Sequence, residues 1–190
     1  MKKEFNKRKK IAIITCLVFV ITLVGLIGSA FAYMYHKTET ITNEFGRAIV
    51  ACEVVESFNT SSSEKSSIKV KNTGNIDAYL RVSLVSWWED SNGNIVGKAS
   101  EMPDIAYNSD TWVKHSSEHI YFYKSKVSPE DLTGELLQSP MILKTDTYND
   151  KTVYQVVQVF AEAIQSKPTS AVTNVWSVSL DSNRDISTVN

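Results

Sequence analysis

The chain has 190 residues, 43% hydrophobic, 10% aromatic and 22% charged, with a formal net charge of -1. These figures fit one globular domain of ordinary size and exclude a disordered or collagen-like chain. Two cysteines exclude a disulfide-dense framework and a Cys-rich zinc module.

The near-neutral charge averages two different parts. Residues 2–10 hold Lys2, Lys3, Lys7, Arg8, Lys9 and Lys10 against Glu4, and residues 11–32 carry no charge. A basic start, an apolar run and the small residues of Ala30-Phe31-Ala32 make a secretory signal, with cleavage between Ala32 and Tyr33. Basic residues stay on the cytoplasmic side, so the chain beyond the apolar run is exported. The apolar run also suffices to span a bilayer, so an uncleaved anchor through residues 11–32 is the alternative. Gly25, Gly28 and Ser29 weaken the helix near its end and favour cleavage. Cys16 lies too early in the run for a lipobox cysteine.

Of 20 basic and 21 acidic residues, 6 and 1 lie in residues 1–32, which leaves 14 against 20 and a net charge of -6 for residues 33–190. An acidic exported domain lacks the basic footprint of a nucleic-acid binder. Its one cysteine, Cys52, comes just after Ala48-Ile49-Val50-Ala51. Those apolar neighbours predict a buried thiol, with pairing between molecules as the alternative.

The periodic segments alternate at two residues rather than 3.6, which predicts strands. They are residues 47–58, 67–71, 78–88, 95–96, 111–114 paired with 119–127, 141–144, 153–164 and 175–180. Turns fall at Asn72-Thr73-Gly74-Asn75 and Asp90-Ser91-Asn92-Gly93-Asn94. Only residues 129–138 have a helical character, and residues 181–190 read as a polar, frayed end. Short strands joined by turns predict an all-β, antiparallel β-sandwich over residues 47–180. Trp87 or Trp88, Trp112 and Trp176 supply core bulk, and Tyr121-Phe122-Tyr123 serves packing more than ligand binding. Arg81, the charged member of a mostly apolar strand, predicts an acidic partner beside it.

One string has catalytic form. His115-Ser116-Ser117-Glu118-His119 matches the inverted zinc motif, with His115 and His119 as ligands and Glu118 as catalytic acid/base. That motif needs a helix to bring both imidazoles to one metal, and its flanks here are strand-like. The expected reading is a polar turn, with no enzyme, no metal and no cofactor. Asp90, Asn92 and Asn94 alternate oxygen groups but lack the downstream Glu of a calcium loop, and Asn59-Thr60-Ser61 is a glycosylation sequon. A nucleophile elbow and a phosphate-cradling glycine loop are both missing from residues 33–190.

The ordered set of motifs resembles a family. Ala30-Phe31-Ala32-Tyr33, the Thr-rich residues 38–42 and Asn43-Glu44-Phe45-Gly46 are similar to the start of proteins exported through the SipW-type signal peptidase. Where those often carry aspartates, this chain has His36-Lys37-Thr38-Glu39. Residues 69–82, Trp88 with Gly93-Asn94, Trp112 with residues 121–124, and residues 161–165 with Trp176 keep the same order over most of the remaining chain. The chain thus resembles the TasA/camelysin group and its pilin-like relatives of Gram-positive bacteria.

The resemblance implies a jelly-roll sandwich and a secreted subunit of biofilm matrix fibres. Its implied partners are the SipW-type peptidase, copies of itself and related matrix subunits. It also implies assembly by donor-strand exchange, for which residues 33–45 are the candidate donor. There Thr38, Thr40 and Thr42 alternate with Ile41 and lead to Phe45. A membrane-anchored adhesin or fibre anchor, and a camelysin-like zinc endopeptidase, are the competing expectations.

Overall fold

The structure, a computed structural model, describes residues 15, 18–22 and 46–189. It divides into two units, Met1–Gly46 and Arg47–Asn190. In the first, residues 18–22 are helical, and Thr22 Oγ1 donates to the carbonyls of Val18 at 3.1 Å and Phe19 at 2.8 Å. No helix among the described residues is long and apolar enough to cross a membrane. The expected cleavage residues Ala30, Ala32 and Tyr33 lie outside the described residues, as do Thr38, Thr40, Ile41, Thr42 and Phe45.

The second unit is mostly β, built from curled antiparallel sheets. Its centre is a long ladder between β3 (Ala78–Glu89) and β9 (Lys151–Gln165), in unbroken register from Ala78↔Gln165 to Glu89↔Tyr154. Alternation explains it: Leu80, Val82 and Leu84 meet Val157 and Val159 on one face. On one side of this pair lie β6 (Ile120–Tyr123) and β5 (Trp112–Lys114), and on the other lies β8 (Thr145–Tyr148). The short β4 (Ile95–Val96) returns onto the end of β3. Asn149 and Asp150, at φ 52° and 60°, join β8 to β9. Two left-handed residues make the hairpin turn whose twist matches the strands.

The smaller sheet has the order β1 (Cys52–Asn59), β2 (Glu64–Asn72), β7 (Met141–Ile142). Ile68 and Val70 of β2 share one core with β3, β9, Trp112, Tyr121 and Leu136. A second cluster covers the opposite face of the large sheet at one end. There α1 (Ser170–Trp176) and the hairpin of β10 (Val178–Leu180) and β11 (Ile186–Val189) lay Val172, Trp176 and Ile186 over Tyr79 and Phe122. Tyr121 and Phe122, which point to opposite faces, are therefore both buried, as the packing reading of that triplet requires. Trp88, Trp112 and Trp176 are core residues, whereas Trp87 is only half-buried.

Four expectations are corrected. Residues 129–138 form no helix, because their backbone is used by β2. The N–H groups of Glu130, Thr133 and Leu136 donate to the carbonyls of Asn72, Val70 and Ile68 at 2.8–2.9 Å. Of the strand expected over 175–180, Val175 and Trp176 instead close a helix over Ser170–Trp176, and the strand begins at Val178. Residues 186–189 are not frayed but pair with β10, and the hairpin is tied down where Ile186 N–H donates to Lys124 O at 2.8 Å. The first strand begins at Cys52, not at residue 47.

Candidate functional site

Two strands leave long backbone edges without a ladder partner. Among the described residues β1 pairs only with β2. β9 pairs with β3 along one edge, but on the other it meets β8 only through Lys151–Tyr154. One further bond extends this contact, from Gln155 N–H to Lys144 O at 2.9 Å. That bond fixes the parity of the strand. Gln155 N–H points away from β3, so the N–H and C=O of Val157, Val159, Ala161 and Ala163 point the same way. Those of Val156, Gln158, Phe160 and Glu162 point into the β3 ladder. Nine residues of β9 past Tyr154–Val156 thus run with half their backbone groups unpaired by any other backbone among the described residues.

β1 runs beside this open edge without bonding to it. Ala48 lines a hollow with Gln165 and Lys167, and Phe58 lines a groove with Tyr154 and Gln158, so the two strands are antiparallel. The groove holds about 440 Å³ between Phe58, Lys65, Leu143, Tyr154 and Val157. Inside it Lys65, only 6% exposed, donates from Nζ to both carboxylate oxygens of Glu56, at 2.9 and 3.0 Å. A charge that far from water needs this pairing. Gln155 braces the neighbouring wall. Its Nε2 donates to Glu101 O at 2.7 Å, and its Oε1 accepts from Lys144 N–H at 3.1 Å. Phe58, Val55 and Phe160 remain exposed around these edges.

Glu56, Lys65 and Gln155 were not anticipated from the sequence. Ser67, at φ 54°, shifts the phase of β2, so Lys65 faces inward where simple alternation from Ile68 does not put it. Cys52 is half-buried at the rim rather than fully buried, and is free. Burial first, then the nearby Glu162 carboxylate, push its thiol pKa up. That keeps it protonated and a poor nucleophile.

His115, Glu118 and His119 lie in the hairpin between β5 and β6, not on a helix. His115 N–H donates to Ile120 O at 2.8 Å, and His119 O accepts from Leu84 N–H at 3.0 Å. The hairpin is the polar turn expected of that string. No group of three or more His, Cys, Asp or Glu residues that can hold a metal occurs among the described residues. Asp90 spends its carboxylate on its own turn. It accepts the N–H groups of Asn92 and Asn94, both at 2.9 Å, and Asn94 Nδ2 at 3.1 Å. Arg81 has its acidic partner: Nη2 lies 2.8 Å from Glu162 Oε2, across the Arg81↔Glu162 register pair. Its guanidinium also stacks 4.9 Å from the Trp176 ring centroid.

Three carboxylates titrate below the usual 3.8. Asp77 is held down by Lys126, Asp90 by the Asn94 N–H, and Asp146 by Lys98. A depressed folded pKa gives stability that is complete above the unfolded value and is lost as pH falls through the folded one. The melting temperature is therefore expected to hold down to about pH 5 and to fall modestly below about pH 4, since these groups lie at the surface where solvent screens their partners. Asp90→Asn, followed by thermal melts across that range, is expected to flatten part of the fall; an unchanged pH profile contradicts this assignment.

No protein-family model, curated protein or solved structure matches the chain.

Proposed function

We propose that the chain is a secreted structural subunit that assembles with copies of itself, or with related subunits, into extracellular fibres. In this reading Arg47–Asn190 is a jelly-roll sandwich of the TasA/camelysin kind. A SipW-type peptidase releases residues 33–45, and the freed segment adds as a strand to another subunit. The observation that carries the reading is the pair of open edges on β1 and β9 beside an apolar groove. An exposed edge of this length templates pairing with another chain, and proteins that do not use such edges block them with charges, proline or a covering loop. The open edge of β9 runs Val-Gln-Val-Phe-Ala-Glu-Ala, with a single charge and no proline. Main-chain bonds supply affinity in strand addition, and pockets for alternate side chains supply register.

The test is intact mass, size-exclusion chromatography and electron microscopy on protein from culture supernatant. A chain beginning at Tyr33 that forms fibres as concentration rises is expected. A chain beginning at Tyr33 that stays monomeric at every concentration refutes the reading. A full-length chain confined to membranes refutes it in favour of an anchored surface protein.

A further inference from the structure

The floor of the groove beside β9 is set by register. Phe58, Lys65 and Met141 are partners across the β1–β2 and β2–β7 ladders, so their side chains leave the small sheet on one face. Met141 belongs to the core, which makes that face the inner one. Leu143 and Val157, core residues too, and the exposed Phe58 and Tyr154 give the groove apolar walls. Lys65 is the cation set among them, only 6% exposed. Its ammonium carries three N–H donors. Glu56 occupies two of them through its two carboxylate oxygens. Among the described residues no other acceptor bonds to Lys65. A buried donor left without an acceptor is costly, and more so on a charged group.

The open edge of β9 dictates what can meet that donor. The N–H and C=O of Val157 point out of the edge and hold an added strand in the plane of the large sheet. The backbone groups of such a strand point along the sheet, toward β9 and away from it. Its alternate side chains point inward, toward the facing sheet about 10 Å away. The added backbone therefore has no carbonyl to offer Lys65, and only an inward side chain can supply the oxygen.

We propose that Lys65 is the specificity-determining residue of this groove, selecting a strand of a second copy that sets a side-chain oxygen opposite its ammonium and apolar side chains two residues to either side. The inference rests on the strand-addition reading. Lys65 and Glu56 already balance in charge. A neutral oxygen of Ser, Thr, Asn or Gln therefore fits, whereas a second carboxylate brings an uncompensated charge and an incoming Lys or Arg is repelled. The flanking apolar side chains pack on Phe58, Leu143 and Val157. A slip of two residues puts one of them against the ammonium, so the same contact sets the register of addition.

The test uses the processed protein, with polymerisation measured at a temperature where every variant is fully folded by circular dichroism. Lys65→Met combined with Glu56→Gln removes both charges together and strands neither. It is expected to raise the concentration for half-maximal polymerisation about ten- to hundredfold, the worth of one hydrogen bond to a charged group. Glu56→Gln alone keeps the ammonium but removes its counter-charge and one acceptor. It is expected to lower that concentration, because the added oxygen then answers more of the unmet charge. An ion pair that only ties β1 to β2 shifts both variants the same way, in step with their melting temperatures. Any result other than these opposite shifts overturns the Lys65 assignment, and strand addition stands if deletion of residues 33–45 abolishes fibres. If that deletion still polymerises, strand addition falls and the assignment with it.

Discussion

Proline at position 161 is expected to abolish polymerisation and leave the unit's stability unchanged, whereas proline one residue later is expected to destabilise it. The contrast arises from the parity of β9. Gln155 N–H is bonded away from β3, so Ala161 N–H is directed to the open edge and takes no part in the ladder. Proline lacks that donor and blocks docking of another strand, yet edge positions whose N–H faces solvent tolerate it. Ala161→Pro therefore removes a group that only an added strand uses. Glu162 N–H faces Arg81 across the ladder. Glu162→Pro deletes a ladder bond, orphans its acceptor and removes the Arg81 ion pair, a loss of about 2–4 kcal/mol. At about 2–4 °C per kcal/mol for a unit of this size, the melting temperature falls by roughly 5–15 °C. Ala161→Pro is expected to change it by less than about 3 °C. Circular dichroism melts and sedimentation of the assembled material read both quantities. Fibres of Ala161→Pro at the parent's yield contradict use of this edge.

Much of the large sheet was legible in the sequence, because its signals are local. Residues 78–88 alternate cleanly, Asp90 to Asn94 carries its own turn chemistry, and Arg81 on an apolar strand announced a partner that Glu162 supplies. The β-branched start of residues 153–164 correctly outweighed the helix-forming Phe-Ala-Glu-Ala at their end. Where long-range contacts decide, the sequence misleads. Residues 170–176 contain Val172, Thr173 and Val175, poor helix formers. The helix forms because Val172 and Trp176, four residues apart, share one face and bury it on Phe122 and its neighbours. Residues 129–138 have a helical composition, but their N–H groups meet the unfilled edge of β2 instead. The open edges belong to the same class. That β9 outruns β8 by eleven residues is a fact of topology, and no motif in residues 151–165 records it. Lys65 was hidden by a bulge, and Cys52 ends half-buried rather than in the core because β1, among the described residues, has a ladder partner on one edge alone.

The largest loss of stability from a single polar side chain is expected at Asn72. It is fully buried at the end of β2. Its Nδ2 donates to Ile76 O and Val127 O, and its Oδ1 accepts Gly74 N–H, all at 2.9 Å. Asn72→Ala leaves Val127 O with its bond from Ala78 N–H, but strands Ile76 O and Gly74 N–H. Each of the two stranded groups costs about 1–3 kcal/mol, so the variant loses about 2–6 kcal/mol and roughly 4–24 °C of melting temperature. Asn72→Asp turns the donor into an acceptor facing two carbonyl oxygens. Its carboxyl is satisfied only when protonated, so its folded pKa is raised. A raised folded pKa gives stability that is present at low pH and lost as pH rises, opposite in sign to the Asp77, Asp90 and Asp146 carboxylates. Urea titrations at about pH 4 and pH 7 separate the two variants: Asn72→Asp is expected to lose more at the higher pH, and Asn72→Ala equally at both.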